Sequence, residues 1–162
     1  MDFTARCAAV GLAVVALCLV WARPGFAENA TPYPGTQVIK TTHSFGQLHS
    51  RLEAAVKNNK VFVVDRASAS AGAKSRGITI PGNMVIGVYR NDFAVRMLAA
   101  SVPAGIEAPL RFYLTENADG TATLTYRRPS AVFKPYGSAD LDKLAAELDG
   151  IWAKIAAEAT GK

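Results

Sequence analysis

Cysteine and histidine are scarce: the 162-residue chain holds two of each. Both cysteines, Cys7 and Cys18, stand near the N-terminus, ahead of a small-residue pair, Gly25 and Ala27. If the chain is cut after Ala27, the mature part has no thiol. That excludes a disulfide, a thiolate metal ligand and a cysteine nucleophile. His43 and His49 are six residues apart, one before and one within an expected helix. With no thiol to complete a set, a zinc site is not expected, and no metal or other cofactor is implied. Long apolar runs are also missing. The longest, residues 8–21, falls short of the roughly 20 residues that span a bilayer. Charge clusters are absent too: the formal net charge of +5 comes from Lys and Arg spread along the chain. This argues weakly for anionic partners and against nucleic acid.

The N-terminus carries a positive clue. Arg6, the apolar run 8–21, the helix-breaking Pro24-Gly25, and Gly25 and Ala27 at peptidase spacing make residues 1–27 a secretory signal peptide. Leu17 before Cys18 speaks against lipoprotein processing there, since that needs a small residue. Loss of Arg6, Arg23 and Asp2 with the leader lowers the formal charge from +5 to +4. The expected protein is periplasmic or secreted, with no membrane span after cleavage. Residues 28–35, with Pro32, Tyr33, Pro34 and Gly35, read as a linker. Residues 36–162 then form a single domain, long enough to bury a core.

Along that domain, residues 36–42 are a β-branched strand. Ser44, followed by Gln47, is a capping-box start for a helix with Phe45, Leu48, Leu52, Ala55 and Val56 on one face. Residues 61–64 are continuously apolar, the pattern of a central strand, which Asp65 and Arg66 are expected to end. A short helix over 67–76, a strand over 84–89 and a helix over 93–100 capped by Asn91 or Asp92 follow. Residues 110–116 and 121–128 form a hairpin. A three-residue loop with Gly120 left-handed pairs Phe112 with Tyr126 and Leu114 with Leu124, whereas a two-residue turn mixes apolar with polar partners. The final helix, 138–159, starts at Ser138 and shows Leu141, Leu144, Leu148, Ile151, Trp152 and Ile155 as one stripe. The fold class is α+β: helices on one face of a small, largely antiparallel sheet, with a long C-terminal helix.

The order and spacing of several pieces carry a resemblance. They are Thr42-His43-Ser44-Phe45 leading to Leu52; residues 61–65, then Ala71-Gly72-Ala73-Lys74 and Gly77; residues 85–91; Ala108-Pro109-Leu110-Arg111; and Asp119-Gly120 followed by Leu124-Thr125-Tyr126 and Pro129. Over residues 41–136 the chain resembles the family called domain of unknown function 302. The resemblance implies a compact α+β fold that often pairs as a homodimer, and no reaction. Two departures stand out. Arg66 replaces the family's histidine after the aspartate of the second strand, and Arg90-Asn91-Asp92 replaces its Gly-Asn-Pro.

Candidate site residues follow from the hairpin register, which sets Arg111 opposite Arg127 on the face away from Phe112. Like charges so placed repel by a few tenths to about 1 kcal/mol. A carboxylate, with Asp65 on a neighbouring strand as one choice, or a bound anion is expected to offset this. Tyr113, Thr115, Thr123 and Thr125 share the face. Asp65-Arg66 and Arg90-Asn91 are expected at strand ends, where loops commonly carry sites. The ligand set is therefore Asp65, Arg66, Arg90, Asn91, Arg111, Tyr113 and Arg127. Ala71-Gly72-Ala73-Lys74-Ser75 lacks the leading glycine and the Gly-Lys pair of a phosphate loop. His49 with Glu53 is an i,i+4 surface pair. Phe133, Tyr136 and Trp152 are core aromatics that could also line a cleft. No nucleophile–base–orienter set is present, so the leading expectation is a non-enzymatic module that binds a small anionic ligand or a partner protein. Two alternatives are a hydrolase or isomerase using Asp65 or His43 with arginine electrophiles, and a structural envelope protein.

Overall fold

The structure, a computed structural model, describes residues Pro32–Lys162; residues 1–27, the expected signal peptide, and with them both cysteines lie outside the described residues. Five strands, β1 (Thr36–Ser44), β2 (Phe62–Ala67), β3 (Asn83–Tyr89), β4 (Leu110–Glu116) and β5 (Thr121–Arg127), form one antiparallel sheet in the order β1-β5-β4-β3-β2. The helices are α1 (Phe45–Asn58), α2 (Ala69–Lys74), α3 (Asn91–Ala100), α4 (Pro129–Phe133) and α5 (Ala139–Thr160). Among the described residues no helix is long and apolar enough to cross a membrane.

Local chemistry explains the elements. Ser44 accepts from Gln47 N while the Gln47 side chain accepts from Ser44 N, a closed capping box at the start of α1. Ser138 caps α5, and Asp140 and Asp142 sit in its first turn, where the helix dipole favours negative charge. At the hairpin, Phe112 pairs with Tyr126 and Leu114 with Leu124, and Gly120 takes φ +81°.

The core lies between one sheet face and the helices. Ile86, Val88, Phe112, Leu114 and Leu124 meet Leu48, Leu52 and Val56 of α1 and Leu141, Leu144, Leu148, Trp152 and Ile155 of α5, all buried. Phe112 stacks on Trp152 with centroids 5.9 Å apart. The other sheet face is open and carries Val38, Phe62, Val64 and Tyr113 as exposed apolar side chains.

Three expectations are corrected. β2 is an edge strand and not a central one: it pairs only with β3, and Phe62 and Val64 are 66 % and 54 % exposed. A continuous apolar run matches a strand buried on both faces, but here the second face is uncovered. β2 also continues through Asp65 and Arg66, because a bulge between Val63 and Asp65 absorbs an extra residue. Neither Asn91 nor Asp92 caps α3. Arg90 occupies the cap position without a side-chain bond, and Asp92 is drawn back onto its guanidinium at 2.7 and 2.8 Å.

Candidate functional site

The ladder itself builds a row across the open face. Asp65 of β2 pairs with Gly87 of β3, and Gly87 pairs with Arg111 of β4. The β4–β5 register, carried one residue beyond Phe112–Tyr126, sets Arg111 opposite Arg127, which itself pairs with Thr36 of β1. The bulge decides which β2 residues join this row. Val63 pairs with buried Val88; the extra residue then turns Asp65 outward beside Gly87 and Arg66 inward beside buried Ile86.

Asp65 does not neutralise the arginines. Adjacent strands lie about 4.8 Å apart, so Asp65 stands two strand spacings from Arg111. The gap above Gly87 is filled: a Cβ on Gly87 would lie 2.9 Å from Pro109 Cγ and 3.1 Å from Asp65 Cβ. Among the described residues, no ion pair involves Asp65, Arg111 or Arg127. Arg127 instead lies over the Tyr33 ring, 4.9 Å from guanidinium carbon to centroid. Such a cation–π contact supplies roughly 0.5–1 kcal/mol at an exposed site, comparable with the repulsion of two facing arginines. Arg127 Nε remains buried with no acceptor.

Tyr113 opposite Thr125, and Thr115 opposite Thr123, share this face. Tyr113 is 40 % exposed. Thr123 is already engaged, donating to Asn117 Oδ1 at 2.9 Å. The usable hydroxyls beside the arginines are thus those of Tyr113 and Thr125.

The other expected residues go elsewhere. Arg66 reaches Glu53 on α1, donating from Nε at 2.7 Å, and Glu53 also meets His49 at 3.1 Å. Burial pushes the Glu53 carboxyl up, but Arg66 and His49 outweigh it and hold the group below its ordinary value. This triad ties α1 to β2. Arg90 binds Asp92 and covers the Phe93 ring at 4.2 Å, and its hydrogen bond keeps Asp92 below the usual carboxylate range. Asn91 is exposed at the start of α3. The two strand ends do not converge, because antiparallel pairing sets Tyr89 beside Phe62 and leaves Asp65-Arg66 away from Arg90-Asn91. His43 and Asp65 stand on β1 and β2, opposite edges of the sheet, so they cannot share one pocket. That removes the pair from general-base chemistry, which needs hydrogen-bond reach. Of the three aromatics, Phe133 and Trp152 line a small cavity under α3, while the Tyr136 hydroxyl donates to Glu107 at 2.9 Å.

Sequence reasoning missed Tyr33 and Pro109. Tyr33 lies in the stretch read as linker, and nothing local signals that a turn there, closed by Thr36 N donating to Tyr33 O at 3.0 Å, packs its ring on β5.

The comparisons agree with this fold. The family profile described as "Domain of unknown function DUF302" matches residues 37–159, a longer stretch than the resemblance suggested. A crystal structure of an uncharacterized conserved DUF302 protein from Bacillus stearothermophilus superposes with a TM-score of 0.67 at 16 % identity. The match covers 80 % of this chain and 98 % of that one, which shows a shared fold. No curated protein matches. The chain belongs to the DUF302 family, an uncharacterised group of small α+β domains.

Proposed function

We propose that this protein is a non-enzymatic binding module that takes a small anion, a carboxylate or phosphate, on the open face of its sheet. The observation that carries this is the Arg111–Arg127 pair: two facing cations with no carboxylate partner among the described residues, one of which keeps a buried Nε without an acceptor there. An anion lying across the row would accept from both guanidinium groups, and Tyr113 and Thr125 would add hydroxyl donors. The signal-peptide reading of residues 1–27 supports an extracytoplasmic setting for this module. Mass spectrometry of the exported protein should then give an N-terminus at Glu28, and a mature chain beginning at Met1 would refute export.

The test is thermal unfolding with citrate or inorganic phosphate against sodium chloride at matched ionic strength. At ten times its Kd, a bound anion stabilises the fold by about 1.4 kcal/mol, a rise in Tm of roughly 3–6 °C. Arg111→Ala and Arg127→Ala should each lose most of that rise. Without anion, Arg111→Ala should be neutral or slightly more stable, since it relieves repulsion. No anion-specific rise in the unmodified protein overturns the proposal.

A second reading, a homodimer through the same face, is favoured by the charge pattern. Asp65 and Arg111 flank Gly87, so a two-fold axis near Gly87 would set each Asp65 against Arg111 of the second copy, with Phe62, Val64 and Tyr113 covered around them. Sedimentation separates the two: this reading requires a dimer that Arg111→Ala weakens in the absence of any anion.

A further inference from the structure

The row that holds Arg111 and Arg127 carries the opposite charge at its far end. Asp65 is exposed and makes no ion pair among the described residues. Its side chain stands on the open face, because its Cβ lies 3.1 Å from the position that a Cβ on Gly87 would take. Gly87 in turn pairs with exposed Arg111. The floor between the charges is uncharged: Gly87 lies under the ring of Pro109, whose Cγ is 2.9 Å from that same Cβ position. The strands fix the separation. Asp65 is two strand spacings from Arg111 and three from Arg127, about 10 and 14 Å. With side chains upright on the sheet and one hydrogen bond at each end, a ligand reaching from Asp65 to between the arginines needs its own charges roughly 6 Å apart. At about 1.2 Å of reach per extended bond, that is a chain of about four methylenes between nitrogen and carboxyl carbon.

An open groove of about 590 Å³ adjoins the row and leaves room for such a chain. Ala67, Val85 and Tyr113 line it, each two residues along its strand from Asp65, Gly87 and Arg111, together with Ser68, Ala69 and Asn83. Its polar side chains are engaged. Ser68 Oγ accepts from Ala71 N at 3.1 Å, and Asn83 accepts from Ala69 N and donates to Pro81 O, both at 3.0 Å. The groove therefore offers apolar contact, and recognition of charge falls to the row. We infer that the ligand of the open face is a small zwitterion, an ammonium and a carboxylate joined by a short apolar chain. Its ammonium meets Asp65 and its carboxylate meets Arg111 and Arg127. This rests on the anion proposal and narrows it, from any small anion to a molecule that also carries a cation.

5-Aminopentanoate and pentanoate test this, since they share the carboxylate and the chain and differ in the ammonium. Each is titrated into the ¹⁵N-labelled full chain at matched ionic strength, with affinity read on the Arg111 Nε–H signal. 5-Aminopentanoate should bind roughly 2- to 5-fold more tightly, the worth of one exposed ion pair. Asp65→Asn keeps the shape of an exposed side chain and removes its charge, so the fold stays intact. It should abolish the advantage of 5-aminopentanoate and leave pentanoate no weaker, because the lost carboxylate only repels that anion. Equal affinities of the two compounds in the unmodified protein overturn the zwitterion inference and leave the anion site standing. So does an advantage that survives in Asp65→Asn, or pentanoate binding that falls with it. An Arg111 signal that neither compound moves overturns the inference and the anion proposal together.

Discussion

Phe112→Ala is expected to lower stability by about 3–5 kcal/mol, the range for truncating a buried phenylalanine. Phe112 is fully buried at the centre of β4, the middle strand of the sheet. Its ring stacks on Trp152 of α5 at 5.9 Å and meets Tyr126 of β5 at 5.4 Å, so one side chain joins the sheet to the long helix. Total stabilities of 5–15 kcal/mol make this a large fraction, and Tm should fall by roughly 10–20 °C. The neighbouring Tyr113→Ala is the control. It removes a side chain on the open face, and its cost should stay below about 1 kcal/mol. Urea unfolding of both variants reads the difference. Comparable losses would mean that the register is wrong, because a one-residue slip exchanges the two faces.

Gly35→Ala should cost about 2–4 kcal/mol, although it lies before the first strand. Gly35 has φ +80°, where a side chain is strained by roughly 1–2 kcal/mol. A Cβ there would also fall 2.1 Å from Ala131 Cβ of α4, an overlap that adds on the order of 1–3 kcal/mol. Gly35 O accepts from Arg128 N at 2.9 Å, so the turn is anchored and cannot simply swing away. Ala131→Gly in the same chain should restore the steric part and leave the backbone strain, a separation that a double-mutant cycle measures. The consequence reaches the site, because this turn seats Tyr33 on Arg127. Gly35→Ala should therefore weaken anion binding as well as stability.

The parts of the fold that were legible in the sequence are those set by local chemistry. Ser44 with Gln47, Ser138 ahead of the Leu141–Leu144–Leu148 stripe, and the Phe112–Tyr126 register each follow from residues close in the chain or from one hairpin. Strand order is not local. Residues 61–64 read as central because an apolar run records side-chain type and not what covers each face; the structure puts β2 at the edge. The bulge at Val63/Asp65 was equally hidden, yet it alone exchanges Asp65 and Arg66 between the two faces. So the facing arginines could be derived from the register, while the division of the expected site could not. Arg66 went to Glu53, Arg90 to Asp92, and the ring of Tyr33, from outside the expected domain, to Arg127.

The claim that an anion sits on the arginine row is tested most directly at the arginine nitrogens. Phosphate or citrate titrated into ¹⁵N-labelled protein should shift the Nε–H signals of Arg111 and Arg127 together, with one affinity, while those of the carboxylate-bound Arg90 and Arg96 stay in place. A uniform drift of all four signals, matched by sodium chloride at equal ionic strength, would mean that the open face holds no such site.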